Sequence, residues 1–217
     1  MFSRGNVKEK ARLLEFHSLA TIANFESRVV GREQLGKEMA VDLYAGIGYF
    51  VFSYTKLGIG KVAGWELNPW SVEGLRRGAA ANGWSVKVVR PGDEFVSGDE
   101  QIVVFLEDNA RAEERLNGID WKGFGKVRHI NCGLLPTSEG SWEMTLRILK
   151  GDGWLHLHQN VGVSDITKRT VEIEEIIRGW ITQAKEEQSA TVEHVEKVKT
   201  FAPGVWHCVF DVYINLT

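Results

Sequence analysis

Residues 37–50 read KEMAVDLYAGIGYF. Lys37 to Tyr44 is apolar through its centre, as a strand buried on both faces should be, and it ends in Ala45-Gly46-Ile47-Gly48. Two closely spaced glycines let a backbone turn tightly and come close to a ligand. A helix should follow, with Phe50 and Leu57 among its buried positions. Its N-terminus would present unpaired backbone donors at the positive end of the helix dipole. A dinucleotide site would want a third glycine where Val51 stands, which argues against NAD. Taken alone, these residues equally suit an ordinary strand-to-helix turn.

Working outward, Val62 to Leu67 is a second strand, and Asn68-Pro69 opens a helix with Asn as cap and Pro at the first helical position. That helix stops at Asn82-Gly83. Val86 to Arg90 and Ile102 to Leu106 read as strands, separated by a polar surface loop. Lys126 to Leu134 is another strand, and Thr137 or Ser138 caps a helix through Leu149. Trp154 to His158 is a strand. Thr167 to Lys185 has helical spacing, with Ile173, Ile176, Ile177, Trp180 and Ile181 on one broad face. The runs Thr191 to Phe201 and Val205 to Leu216 are joined only by a short turn, so they must pair antiparallel. Upstream, Asn6 with Glu9 suggests a capping box for a helix to about Leu19. Alternating strands and helices imply an α/β fold with a mostly parallel sheet.

The 217 residues suit one domain with at most a small appendage; they are 43% hydrophobic and 25% charged. Net charge is −3, unlike a free-standing nucleic-acid binder, so phosphate contacts would have to come from local patches or another domain. Cys132 and Cys208 give no disulfide framework, and a cytoplasmic location with both buried is the expectation. No apolar run approaches transmembrane length, so no membrane partner is expected, and the start carries no secretory signal.

Ligands of open α/β sheets bind at the carboxyl ends of strands. Three groups fall there. Asp42 with Gly46 and Gly48 ends the first strand. Glu66, 24 residues after Asp42, ends the second and could accept both hydroxyls of a ribose. Asp108 and Asn109 follow the strand Ile102 to Leu106, where an Asp can accept from an adenine amine.

With these motifs together, DLYAGIGYF, WELNPWSVEGLRRGAAANG, EDNAR, NCGLLPTSEGSW and GDGWLHLHQNV resemble the aminocarboxypropyltransferases of wybutosine biosynthesis, relatives of the tRNA guanine-N1-methyltransferases. The opening FSRGNVKEK resembles the segment that precedes their catalytic domain, and GLLPTSEGSW separates them from the sister methyltransferases. The likeness runs from Met1 to about Val161; beyond that it is one of topology. It implies a Rossmann-like class I methyltransferase fold, with a mostly parallel seven-stranded sheet and a terminal antiparallel hairpin. Residues 1–38 would be a helical extension contributing to the cofactor site, and 39–217 the transferase domain. It implies S-adenosyl-L-methionine as co-substrate, tRNA(Phe) as partner, and transfer of the 3-amino-3-carboxypropyl group to carbon 7 of 4-demethylwyosine. Matched motif by motif, Ser3, Lys10, Glu66, Asp108 and Asn109 would contact the cofactor. A guanine-N1-methyltransferase and a non-catalytic RNA-binding module remain the alternatives. Family members carry a further N-terminal region ahead of the opening segment. Here Glu15 to Lys37 and Pro91 to Gln101 look longer than the family needs, and Ser53 stands where Pro is frequent.

Among other candidates for chemistry, Asn131 and Pro136 lie where related enzymes border the target base, with a structural turn as the alternative. Asp42 and His158 are the candidate proton acceptors. His156, His158 and Asn160 alternate on one strand and share a face; two His without a third ligand make a metal site weak, and none is expected. His207 reads as structural. Arg76, Arg77, Lys122, Lys126 and Arg128 could meet phosphates or simply be solvated. Trp84, Trp121 and Trp142 could stack on a flipped base or pack the core.

Overall fold

The computed structural model describes residues 7–17, 28, 30–124, 126–149, 151–184 and 187–216. The strand read from residues 37–50 is β1 (Met39–Asp42), buried on both faces at every position. Around it lie α1 (Val7–Leu14), α2 (Arg32–Leu35), α3 (Tyr49–Leu57), β2 (Lys61–Trp65), α4 (Pro69–Ala81), β3 (Val86–Val89), β4 (Ile102–Phe105) and α5 (Ala112–Gly118). The second half gives β5 (Val127–Cys132), α6 (Trp142–Leu149), β6 (Gly153–Gly162), α7 (Ile166–Ala184), β7 (Gln188–Ala202) and β8 (Val205–Leu216).

Among the described residues the sheet has eight strands, in the order β3-β4-β2-β1-β5-β6-β8-β7. Strands β1 to β6 pair in parallel, and β8 pairs antiparallel with both β6 and β7. The family fold implied seven. The additional strand is β3, which docks parallel outside β4 and forms one edge. From β1 the chain passes to β2, then to the edge strand β3 and back to β4 between them, and crosses to β5 on the other side of β1. That reversal between β1 and β5 is the topological switch point, and it puts the crevice at the carboxyl ends of these strands.

Each sheet face has its own core. One joins Leu13, Leu35, Val51, Tyr54 and Leu75 from α1 to α4. The other joins Ala112, Trp142, Leu146, Ile173, Ile177 and Ile181 from α5 to α7; of the stripe predicted for α7, Trp180 packs against this core and Ile176 is not part of it. Trp121 and Trp142 are core residues and Trp84 packs against the core, so none of the three is free to stack on a base. Cys132 and Cys208 are buried free thiols, and burial pushes them up to about 12 and about 11.

Asn6 lies outside the described residues. Glu9 is buried and accepts from Arg12. Of the two residues expected to cap the α6 segment, Thr137 accepts from the Glu139 N–H through its Oγ1. Ser138 does not cap α6 but precedes a short 3₁₀ turn, Glu139–Ser141, where its hydroxyl donates to His158 O and accepts from Trp142 Nε1. Lys126 and Arg128 sit at the amino ends of the strands, away from the crevice. Arg128 is buried between Glu38 (2.6 Å) and Asp152 (2.8 Å), which removes it as a phosphate contact, and Lys126 pairs with Asp152. Their partners Glu38 and Asp152 stand just ahead of β1 and β6, remote in sequence, so these pairs are not visible in the spacing of the residues.

Candidate functional site at the carboxyl edge

The glycine turn is held in a geometry that only glycine fits. Gly46 has φ +52° and Gly48 φ +92°. A Cβ on Gly48 would stand 2.7 Å from Phe52 Cζ and 2.8 Å from Leu75 Cγ. Gly48 then caps α3 without a side-chain bond, so the first N–H groups of α3 remain available. The Gly46 N–H points the other way and donates to Glu66 Oε2 at 2.9 Å. Glu66 Oε1 accepts from the Asn68 N–H at 2.7 Å, and Asn68 Oδ1 caps α4 through the Trp70 N–H. Glu66 is thus fixed by the two turns on either side of it. A carboxylate has about four acceptor positions. Two are used, and two are left for a diol.

Beside it lies a cavity of about 440 Å³ lined by Tyr44, Glu66, Leu67, Asp108, Asn109 and Leu134, among others. It draws on the ends of β1, β2, β4 and β5, as a switch-point site must. Asp108 Oδ1 accepts from the Ala110 N–H, which leaves Oδ2 toward solvent. Asn109 Nδ2 donates to Leu43 O at 2.8 Å and ties the end of β4 to the end of β1. Trp65 and Phe105 stack at 4.7 Å between centroids and stiffen two of these ends.

Lys10 approaches from α1, which packs on α3. Its Nζ lies 4.0 Å from the centre of the Tyr49 ring at the first turn of α3. A cation at a helix N-terminus opposes the dipole. The Tyr49 ring offsets that in part, and an anion placed there would meet both positive groups. Ser3 lies outside the described residues.

Asn131 and Pro136 are not among the residues that line this cavity. Asn131 is fully buried below the pocket, and Pro136 is exposed beyond it; Gly133 and Leu134 supply the β5 end of the lining. Pleat parity decides this: Asn131 stands opposite Asp42, so its side chain joins the face covered by α3. Its Nδ2 donates to Asp42 Oδ1 at 2.9 Å. Burial pushes Asp42 up to about 6, against the Asn131 and Tyr44 N–H bonds that favour its charged form. Asp42 Oδ2 has no partner among the described residues.

That contact is the end of a longer row. An amide oxygen can only accept, so His158 Nε2 carries a proton toward Asn131 Oδ1 (3.0 Å), and His158 Nδ1 then accepts from His207 Nε2 (2.9 Å). A second row lies one level nearer the amino ends. The Val30 N–H donates to His17 Nδ1, so His17 Nε2 donates to His129 Nε2. His129 Nδ1 donates to His156 Nε2, and His156 Nδ1 donates to Asp211 at 2.6 Å. Every proton is placed by partners that can only donate or only accept. Burial lowers His17 and His207 to about 4 and holds His129 and His158 well below the usual imidazole range. Asp211 also accepts from Arg12 at 2.6 Å, and Arg12 from there reaches Glu9. Burial opposes charge on this pair. Even so, the attraction raises Arg12, and Arg12 followed by His156 depresses Asp211. His156 and His158 are therefore satisfied core histidines. The rows escaped sequence reading because only β6 shows an alternating polar pattern; the partners lie on strands remote in sequence.

Arg76 and Arg77 are exposed on α4 and share Glu73, and Lys122 is exposed in a turn at φ +51°.

This geometry can be set beside known proteins. Over 98% of its length the chain is 43% identical to tRNA wybutosine-synthesizing protein 2 of Schizosaccharomyces pombe, and 35% identical to its counterpart from Saccharomyces cerevisiae. Its relatives are wybutosine-synthesizing proteins. It covers 46% and 44% of those two proteins, so the chain spans about half the length of the curated relatives it matches. No family model matches. Among solved structures, Methanocaldococcus jannaschii TYW2, crystallised with AdoMet, superposes with a TM-score of 0.69 at 21% identity. That match covers 100% of this chain and 78% of that one, and supports the class I methyltransferase fold. The resemblance read from the motifs thus extends past Val161 to the C-terminal hairpin. No described helix is long and apolar enough to cross a membrane.

Proposed function

We propose that the chain binds S-adenosyl-L-methionine in the carboxyl-edge pocket and transfers its 3-amino-3-carboxypropyl group to carbon 7 of 4-demethylwyosine in tRNA(Phe). The observation that carries this reading is the 43% identity to a wybutosine-synthesizing protein along nearly the whole chain. The donor set fits the co-substrate. Glu66 has two acceptor positions for a ribose diol, Asp108 lines the cavity and has its Oδ2 left for an adenine amine, and Leu67 and Leu134 supply apolar walls. Lys10 and the bare N–H groups of α3 suit a carboxylate, with Ser3 assigned to the same end. On this reading residues 1–38 complete the cofactor site of the 39–217 transferase domain, and the chain works in the cytoplasm, where its two thiols stay reduced.

A sulfonium supplies an activated Cγ. Carbon–carbon bond formation there releases methylthioadenosine, and the target carbon then loses a proton. Both His158 nitrogens are engaged, so His158 has no free lone pair for that proton. Asp42, with its unpartnered Oδ2 and a carboxyl near 6, is the candidate that remains.

The test is incubation with adenosylmethionine and tRNA(Phe) bearing 4-demethylwyosine, followed by mass spectrometry of nucleosides and cofactor products. An aminocarboxypropyl nucleoside with methylthioadenosine is expected. Methylguanosine with adenosylhomocysteine would assign the chain to methylation instead, and bound RNA with no cofactor turnover to an RNA-binding module.

A further inference from the structure

Edge strand β3 builds a second concavity. Between it and α4 runs a groove of about 270 Å³. Val72, Val88 and Leu106 form an apolar floor, and Glu73, Arg76 and Arg90 stand at the rim. Arg76 and Arg77 both bind Glu73 (2.7 and 2.6 Å), so three charges leave one net positive charge. Arg90 has no ion pair among the described residues, and its backbone is pinned by an N–H bond to Asp93 at 2.9 Å. The rim is therefore cationic on a chain whose net charge is −3.

A flat apolar floor under guanidinium groups matches a nucleobase with its phosphate. The groove also adjoins the cofactor cavity through two short links. Leu106 immediately precedes Glu107 and Asp108 in the cavity wall, and Pro69 follows Glu66 by three residues. Trp70, on the same first turn of α4, is 83% exposed and presents an aromatic surface beside the groove.

We propose that this groove is a nucleotide subsite for an unpaired residue of the RNA substrate, on the Asp108 side of the cofactor cavity. The proposal rests on the RNA-modifying reading above. The base lies on Val72, Val88 and Leu106, Arg76 and Arg90 hold the phosphate, and the strand passes Trp70 on its way to the cavity.

The experiment measures binding of fluorescently labelled tRNA(Phe) to the full chain at several salt concentrations, with adenosylmethionine affinity followed by calorimetry. Arg76→Ala with Arg90→Ala should weaken RNA binding by about tenfold or more at low salt, and lower the log–log salt slope by about 2. Val88→Trp, which fills the groove and leaves both arginines, should weaken it comparably. Adenosylmethionine affinity should not change in either. RNA binding like wild type in both variants, with the salt slope intact, overturns the subsite, as does a wild-type chain with no RNA affinity. If the wild type binds RNA and the variants do not, but no aminocarboxypropyl product forms, the subsite stands and the reaction assignment fails.

Discussion

Glu66 joins two turns and faces one cavity, so its removal should be felt twice. Glu66→Ala deletes the acceptor for the Gly46 and Asn68 N–H groups and for a diol. Two charge-assisted bonds at about 1.5–3 kcal/mol each imply a loss of adenosylmethionine affinity of about a hundredfold or more. Calorimetry checks this, and a change under tenfold would remove Glu66 from the cofactor site. Lys10→Ala should weaken the same affinity by roughly tenfold while leaving the fold intact, because Nζ lies against the Tyr49 ring and makes no ion pair among the described residues. Unchanged affinity would sink the assignment of the opening segment to the methionine end. At this scale the sequence was most legible where chemistry is local. Glycines at positive φ, Asn68 before Pro69, and acids at strand ends are visible without neighbours. The side that Asn131 faces was not legible, because one step along a pleat reverses a side chain, and the register that fixes that step belongs to the pair β1 and β5.

The element most dependent on a single side chain is α1. It is short, at eight residues, too few to hold its shape alone. Leu13 anchors it in the core beside α3, and Arg12 bridges Glu9 and Asp211. Arg12→Ala leaves two buried carboxylates uncompensated, which typically costs about 3–5 kcal/mol. Urea denaturation should report that loss, and calorimetry should report weaker adenosylmethionine binding through displaced Lys10. Full stability with full affinity would mean that α1 is held by its apolar contacts alone. Periodicity identified most elements to within a few residues. It could not show that β3 is an added edge rather than a central strand, since four residues with half-buried positions look alike in either place.

At the scale of the whole molecule, the buried imidazoles set the response to acid. Unfolded His takes a proton near pH 6.5. Folded His17, His129, His158 and His207 resist it, so the unfolded state binds more protons and stability falls as pH drops from about 6.5 toward 4. Each tenfold difference in proton affinity is worth about 1.4 kcal/mol. Asp42 works in the opposite sense: its raised carboxyl gains stability as pH falls through about 6. Four groups against one predict a lower urea midpoint at pH 5 than at pH 7.5. An equal or higher midpoint at pH 5 would show that the rows accept protons without loss. None of this was legible in six scattered histidines, because the rows exist only once β5, β6 and β8 are aligned.

The bond between Arg12 and Asp211 joins positions 199 residues apart. A ribosome adding roughly 5–20 residues per second therefore takes on the order of ten seconds or more between the two. Until β8 emerges, α1 lacks Asp211, and Arg12 has only Glu9 of the two carboxylates it bridges in the finished fold. Nascent chains halted before β8 should hold residues 7–17 open to protease, and release of the completed strand should close them.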